Sequence, residues 1–182
     1  MLRRTRVWAA AAVVGAAAVL GGVSSMSTAS ADELSVRTLI FERLSGFEED
    51  PLTFSTPGTA TFAARIDDKA GEISYRLSWK DLPTNVVQAH IHFGGKHQSG
   101  GVIIFLCGGG PATAPAPACP AGDATVTGTL TAAGVIGPAG QGIAAGEFGE
   151  LVTAIRAGAT YVNIHTTERP GGEIRAQIDG LG

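Results

Sequence analysis

The sequence predicts an all-β fold: an antiparallel Greek-key-like β-sandwich or flattened barrel of about eight strands with one short helix. Two observations predict this fold. Several segments alternate apolar and polar residues with a period of two, which sends every second side chain to the same face of a strand. Breaks rich in glycine or proline separate these segments. A set of such strands fits a sandwich or a barrel.

The alternation is clearest in the run from Ile73 to Trp79. Its apolar residues are separated by serine and arginine, as expected of a half-buried antiparallel strand. Residues 59–67 alternate in the same way, and residues 67–71 predict a turn, so the two runs predict a hairpin. The other predicted strands are 36–44, 87–93, 101–107, 124–131, 160–166 and 173–178.

One segment, residues 147–157, has the period of a helix instead. Phe148, Leu151, Val152 and Ile155 recur at intervals of three and four residues, and Gly158 follows as a C-terminal stop. The pattern predicts one short amphipathic helix that packs on the sheet.

Residues 1–31 are typical of a secretory signal peptide, so we expect a secreted, extracytoplasmic protein. Arginines at positions 3, 4 and 6 precede an apolar run of 14 residues, and the segment ends in Ala29-Ser30-Ala31. A membrane-spanning helix needs roughly 20 apolar residues, so no membrane span is expected in the mature chain. The pair Arg3-Arg4 leaves twin-arginine export open beside Sec export.

Residues 32–182, the predicted mature chain, have the size of one domain. The whole chain carries a formal net charge of −3, and removal of three leader arginines makes the remainder more acidic. Nucleic acid and anionic lipid are therefore disfavoured as partners.

Cys107 and Cys119 flank a tract of glycine, proline and alanine that has no regular pattern. In an oxidising compartment the two cysteines are predicted to form a disulfide, which stabilises a loop of this length by about 3 kcal/mol. The alternative is a cysteine metal site, but the spacing differs from the close Cys-x-x-Cys pairs of zinc modules.

The histidines suggest a candidate metal site. His90 and His92 lie on one face of a predicted strand, about 7 Å apart along it, opposite the apolar residues. His165 also lies opposite apolar residues on a later strand. If these strands are neighbours, three imidazoles share one face and could bind copper or zinc.

A second interpretation of the same residues is a structural polar cluster, stabilised by neighbours such as Asn163. Strand histidines commonly form only hydrogen bonds, so this interpretation is preferred at this point. His97, in a glycine-rich loop, is predicted to be a solvated residue.

The C-terminal motif begins with a predicted tight turn at Pro170, Gly171 and Gly172. Glu173 and Arg175 follow on one face of the last strand. Their expected role is a surface or partly buried ion pair worth at most about 1 kcal/mol, and orientation of an imidazole is the alternative.

Three stretches carry a resemblance to a known family: residues 71–77 leading to 89–94, then 161–166, then 170–175. On these motifs the chain is identified as a member of the CHRD (chordin-type) domain family, over nearly all of residues 32–182. The family is named for repeats in chordin, an extracellular protein that binds growth factors of the bone morphogenetic protein class. Single-domain bacterial members generally lack an assigned activity, so the resemblance implies a module but no reaction.

The His-x-His strand is also similar to copper-zinc superoxide dismutase, whose corresponding strand supplies copper ligands. The similarity reaches His90, His92 and, by position, His165. A zinc subsite and a C-terminal active-site arginine segment have no counterpart here, which leaves dismutation doubtful.

The leading hypothesis is thus a non-catalytic secreted module that binds an unidentified extracellular protein or cell-surface ligand through its loops, including residues 107–119. The second is an extracytoplasmic copper- or zinc-binding protein, and a dismutase-like enzyme ranks last. Motifs of common catalytic classes do not stand out in the sequence, so no enzymatic activity is expected.

Overall fold

The structure, a computed structural model, describes residues 38–114 and 116–180. This part of the chain forms eight β-strands and one α-helix. The strands are β1 (Thr38–Ser45), β2 (Thr59–Asp67), β3 (Glu72–Lys80), β4 (Val86–Phe93), β5 (Gly101–Cys107), β6 (Ala124–Leu130), β7 (Thr160–Thr166) and β8 (Ile174–Ile178), and the helix is α1 (Phe148–Arg156).

All eight strands belong to one sheet in the order β5-β4-β7-β8-β1-β2-β3-β6, and every pairing is antiparallel. The sheet curls until its two ends approach each other. The Tyr75 hydroxyl of β3 donates to the carbonyl of Leu106 in β5 at 2.6 Å, across the interior. The predicted all-β fold is confirmed, and of its two forms the structure adopts the barrel, nearly closed.

The predicted hairpin of β2 and β3 is confirmed, and its register explains the core. Phe62 pairs with Leu77 and Ile66 with Ile73, and all four side chains are fully buried. Complete burial of each such side chain stabilises the fold by about 1.5–3 kcal/mol. The residues between them face outward, so this hairpin is apolar on one face only.

Helix α1 is the predicted amphipathic helix. Leu151, Val152 and Ile155 are buried and join the core cluster. Gly158 follows with a φ of +67°, a left-handed conformation that glycine adopts at low cost and that ends helices.

Cys107 and Cys119 form the predicted disulfide, with their Cα atoms 5.0 Å apart. Among the described residues, no helix combines the length and the apolar character needed to cross a membrane. The predicted signal peptide, residues 1–31, and the first two residues of the predicted strand 36–44 lie outside the described residues.

The half of the sheet made by β4, β7 and β8 differs from the hairpin half because both of its faces are buried. All seven residues of β7 are buried, and so are residues 172–176. The inner face carries Val162, Ile164 and Ile174, which belong to the core. The outer face is polar, and it holds the candidate site.

Candidate metal centre

Strands β4 and β7 bring the three predicted histidines together. The two strands are neighbours, and His90 lies opposite Asn163 while Gln88 lies opposite His165. Because alternate residues share a face, His90, His92 and His165 all lie on the outer face of the sheet. The prediction that the three imidazoles share one face is confirmed.

The three side chains form a tight cluster. One potential ligand atom from each histidine lies within 4.8 Å of the other two. The ring centroid of His90 lies 4.4 Å from that of His92 and 4.5 Å from that of His165. Three bonds of about 2.0 Å to one ion need nitrogens roughly 3.5 Å apart, so a shift of less than about 1 Å per side chain would close the site.

Backbone carbonyls fix the orientation of two of these rings. His92 Nδ1 donates to the carbonyl of Gly100, and His165 Nδ1 donates to the carbonyl of Pro170, each at 2.8 Å. A carbonyl can only accept, so the proton of each neutral ring is on Nδ1 and the lone pair is on Nε2. This is the hydrogen-bonding pattern of metal-binding histidines.

The nitrogens that remain have no partner. His90 Nδ1, His92 Nε2 and His165 Nε2 are buried and form no hydrogen bond. His90 and His165 are 2% and 6% exposed, and His92 is half-buried as a residue although its Nε2 is fully covered. An unsatisfied buried polar atom costs about 1–3 kcal/mol, so three in one cluster require an explanation.

Burial also keeps the imidazoles neutral. Loss of solvation lowers the pKa of His90 to about 2, helped by repulsion from the two neighbouring imidazoles. Burial lowers the pKa of His92 to about 4, although the hydrogen bond to Gly100 acts in the opposite direction. The pKa of His165 is lowered as well, again by burial. Neutral rings keep the lone pairs that a metal ion needs.

Loops cover the outer face of this half of the sheet. The loop of residues 94–100 is held by Arg175, whose Nη2 donates to the carbonyls of Gly95 and Gln98 at 3.2 and 3.1 Å. The hydroxyl of Tyr161 accepts a hydrogen bond from the amide of Gly100. The segment after β1 covers the other side, and there Asn163 Nδ2 donates to Glu49 at 3.0 Å.

Glu173 and Glu49 are buried on this face, but neither is a member of the histidine cluster. Glu173 accepts hydrogen bonds from the hydroxyls of Thr56 and Thr166 at 2.7 and 2.5 Å. Burial raises the pKa of Glu49 to about 7, against the opposing effects of its hydrogen bond with Asn163 and of Arg175. Glu49 is therefore partly protonated near neutral pH.

The structure places the remaining predicted residues around or outside the cluster. His97 is exposed and outside the cluster, as predicted. The turn at Pro170, Gly171 and Gly172 forms, and Gly172 has a φ of +124°. The predicted ion pair of Glu173 and Arg175 is wrong, since both are buried and each contacts other partners.

Asn163 belongs to the same face and donates to Glu49 at 3.0 Å. Its side chain also lies beside His92 and opposes the lowering of the His92 pKa, although no hydrogen bond of regular geometry joins the two residues. Sequence reasoning missed Glu49, which lies in an irregular segment with no pattern to mark it. It also missed Tyr161, although alternation with Val162 places that ring on the histidine face.

The fold and the site define a small all-β module with a buried three-histidine cluster on one face of its sheet. A family model described as the CHRD domain matches residues 41–178, which include all three histidines. The chain belongs to the CHRD domain family. Searches of the curated proteins and of the solved structures gave no match.

Proposed function

We propose that this CHRD domain is an extracytoplasmic metal-binding module whose centre is formed by His90, His92 and His165. One observation carries the proposal: each histidine has a buried nitrogen without a hydrogen-bond partner, and their potential ligand atoms lie within 4.8 Å of one another. The proposed role is binding rather than catalysis. The signal-like leader and the disulfide support a location in an oxidising compartment outside the membrane.

The alternative interpretation, a purely structural polar cluster, explains the geometry less well. In such a cluster the rings would form hydrogen bonds with one another or with neighbours such as Asn163. Instead, the carbonyls of Gly100 and Pro170 hold the protons of two rings on Nδ1, so two lone pairs remain without a donor. A cation satisfies these lone pairs at once, and imidazole ligands suit copper and zinc.

The test is calorimetric titration of the purified mature domain with Cu(II) and Zn(II), and with Cu(I) under anaerobic reducing conditions. We expect one-to-one binding with a Kd below about 1 µM. The variant His90→Ala/His92→Ala should lose this binding. His97→Ala removes an exposed histidine outside the cluster and should bind like the wild type. Binding weaker than millimolar, or binding that survives in the double variant, would contradict the proposal.

Partner binding is a second candidate, supported by a surface on the opposite half of the sheet. Leu39 and Phe41 project from the outer face of β1 and are 73% and 60% exposed. They border an open groove of about 420 Å³ beside Ala63. Exposed apolar groups that are grouped together are typical of interaction sites.

Cell binding tests this second candidate with a fluorescently labelled domain. Wild type and the His90→Ala/His92→Ala variant should both be retained on intact cells, while Leu39→Ser/Phe41→Ser should be washed off. Equal retention of all three proteins, or of none, would remove the case for this surface.

A further inference from the structure

A fixed positive charge lies behind the histidine cluster. The rings of His92 and Tyr161 are stacked, with centroids 4.6 Å apart and an angle of 3° between their planes. On Tyr161 the guanidinium carbon of Arg175 lies 3.5 Å from the ring centroid. One aromatic ring therefore separates the cation from an imidazole of the candidate centre.

Arg175 cannot easily move away from this position. Its side chain is 2% exposed and donates to two carbonyls of the 94–100 loop, those of Gly95 and Gln98. The cation also lies over the electron-rich face of Tyr161, a favourable contact in itself. The charge is therefore a permanent part of the site's surroundings.

The donor set gives no negative charge to offset it. Among the described residues, the cluster consists of three neutral imidazoles without a carboxylate. Glu173 accepts hydrogen bonds from two threonine hydroxyls and Glu49 from Asn163, so neither carboxylate is a ligand in the cluster, although Glu49 lies close enough to Arg175 to interact with its charge. The three ligands themselves therefore do not reduce the charge of a bound ion, and in this buried place solvent screens that charge poorly.

We propose that this centre selects the monovalent ion Cu(I) over divalent ions, with Arg175 as the residue that sets the selectivity. The inference rests on the proposed metal-binding function. Repulsion by a fixed cation is proportional to the charge of the bound ion, so a divalent ion is repelled twice as strongly as Cu(I). Three neutral imidazoles satisfy the ligand chemistry of copper without requiring a charged ligand.

The experiment compares the two affinities in the wild type and in Arg175→Met. Cu(I) affinity is measured anaerobically by competition with a chromophoric chelator, and Zn(II) affinity by competition with a zinc indicator. At a separation of roughly 10 Å and an effective dielectric constant of about 20, loss of the charge should improve Zn(II) binding relative to Cu(I) about tenfold. Arg175→Lys retains a charge and should keep a ratio closer to that of the wild type.

Gln177→Leu is the matched control for loss of loop contacts. Gln177 Nε2 donates to the carbonyls of Gly94 and Gly158, and its Oε1 accepts from Arg175 Nη2 at 3.5 Å, so this variant removes contacts of the loop and of Arg175 without a change of charge. Its ratio of the two affinities should equal that of the wild type, even if both affinities fall.

Two results would overturn the selectivity proposal while the metal-binding function stands. One is wild-type protein that binds Zn(II) as tightly as Cu(I). The other is a ratio that is unchanged in Arg175→Met or that shifts equally in Gln177→Leu. If neither ion binds the wild type, the metal-binding function itself has failed.

Discussion

The outer faces of the two halves of the sheet differ in their exposure to solvent. In the hairpin half, the outward residues of β3 include Ser74 and Arg76, which are exposed to solvent. In the half formed by β4, β7 and β8, the equivalent positions are covered by loops. Water satisfies the polar groups of the first half, whereas those of the second half need partners built into the fold.

In the covered half, a buried polar atom without a hydrogen-bond partner therefore points to a missing ligand or partner. Glu173 and Arg175 both have hydrogen-bond partners on this face. The histidine cluster lies on the same buried face, and there one nitrogen of each ring has none. Two other buried side-chain atoms, Asn163 Oδ1 and Thr160 Oγ1, also lack partners, but the three histidines are the residues whose potential ligand atoms lie within 4.8 Å of one another, which supports a ligand at this place.

The largest effect is expected from truncating an outer-face residue in the covered half. Glu173→Ala would leave the hydroxyl protons of Thr56 and Thr166 without an acceptor and open a cavity, which we expect to destabilise the domain by about 2–4 kcal/mol. Ser74→Ala removes an exposed outer-face residue in the hairpin half and should change stability by less than about 0.5 kcal/mol. Urea unfolding at neutral pH measures both changes. Similar effects of the two substitutions would show that the halves do not differ in this way.

A smaller effect concerns the pH dependence of stability and involves Glu49. The pKa of its carboxyl is about 7 in the folded state, above the ordinary value of 4.5, so the folded state binds the proton more tightly. The stabilisation that proton binding by Glu49 contributes is complete below the pKa of the unfolded state, and it is lost as the pH rises through about 7. Glu49→Gln imitates the protonated carboxyl and should escape this loss. Between pH 5 and pH 8 the variant should gain about 2 kcal/mol relative to the wild type.

Chemical denaturation of the metal-free protein at the two pH values measures this gain. Glu48→Gln alters the exposed neighbouring carboxyl and is the matched control. A Glu49→Gln variant whose stability difference from the wild type does not change with pH would show that the buried carboxyl is not linked to folding.

Much of the fold could be predicted because alternation acts locally. Residues such as Ile73 and Leu77 specify both the strand and its buried face, and the predicted strand ends lie within two residues of those in the structure. The shared face of His90 and His92 followed from the same rule. The pairing of β4 with β7, which adds His165, depends on the whole sheet, so the sequence predicts a shared face for His165 only if these two strands are neighbours.

The covering of that face could not be predicted. It depends on irregular segments, and Glu49 lies in one of them without any periodic signal. The predicted ion pair of Glu173 and Arg175 was wrong because irregular segments supply other partners. Glu173 accepts from threonine hydroxyls, and Arg175 donates to loop carbonyls. A pattern along a strand predicts which side chains share a face but not what packs above them.

The smallest effect on stability is expected at the histidine cluster, and its sign is the informative part. His90 is buried against the ring of Phe105, at 5.1 Å between centroids, and its Nδ1 has no partner. His90→Leu replaces this unsatisfied ring with an apolar side chain. The metal-free domain should therefore be as stable as the wild type, or more stable by up to about 1 kcal/mol. Thermal unfolding in the presence of a chelator measures this change.

The same variant should lose metal binding, so stability and function would move in opposite directions at one residue. Such opposition is expected where a site holds polar groups for a ligand rather than for the fold. His97→Leu replaces an exposed histidine outside the cluster and should leave metal binding intact. This control distinguishes loss of the cluster from loss of any one histidine. A loss of more than about 2 kcal/mol in metal-free His90→Leu would instead mean that the imidazoles stabilise one another, which favours the structural polar cluster.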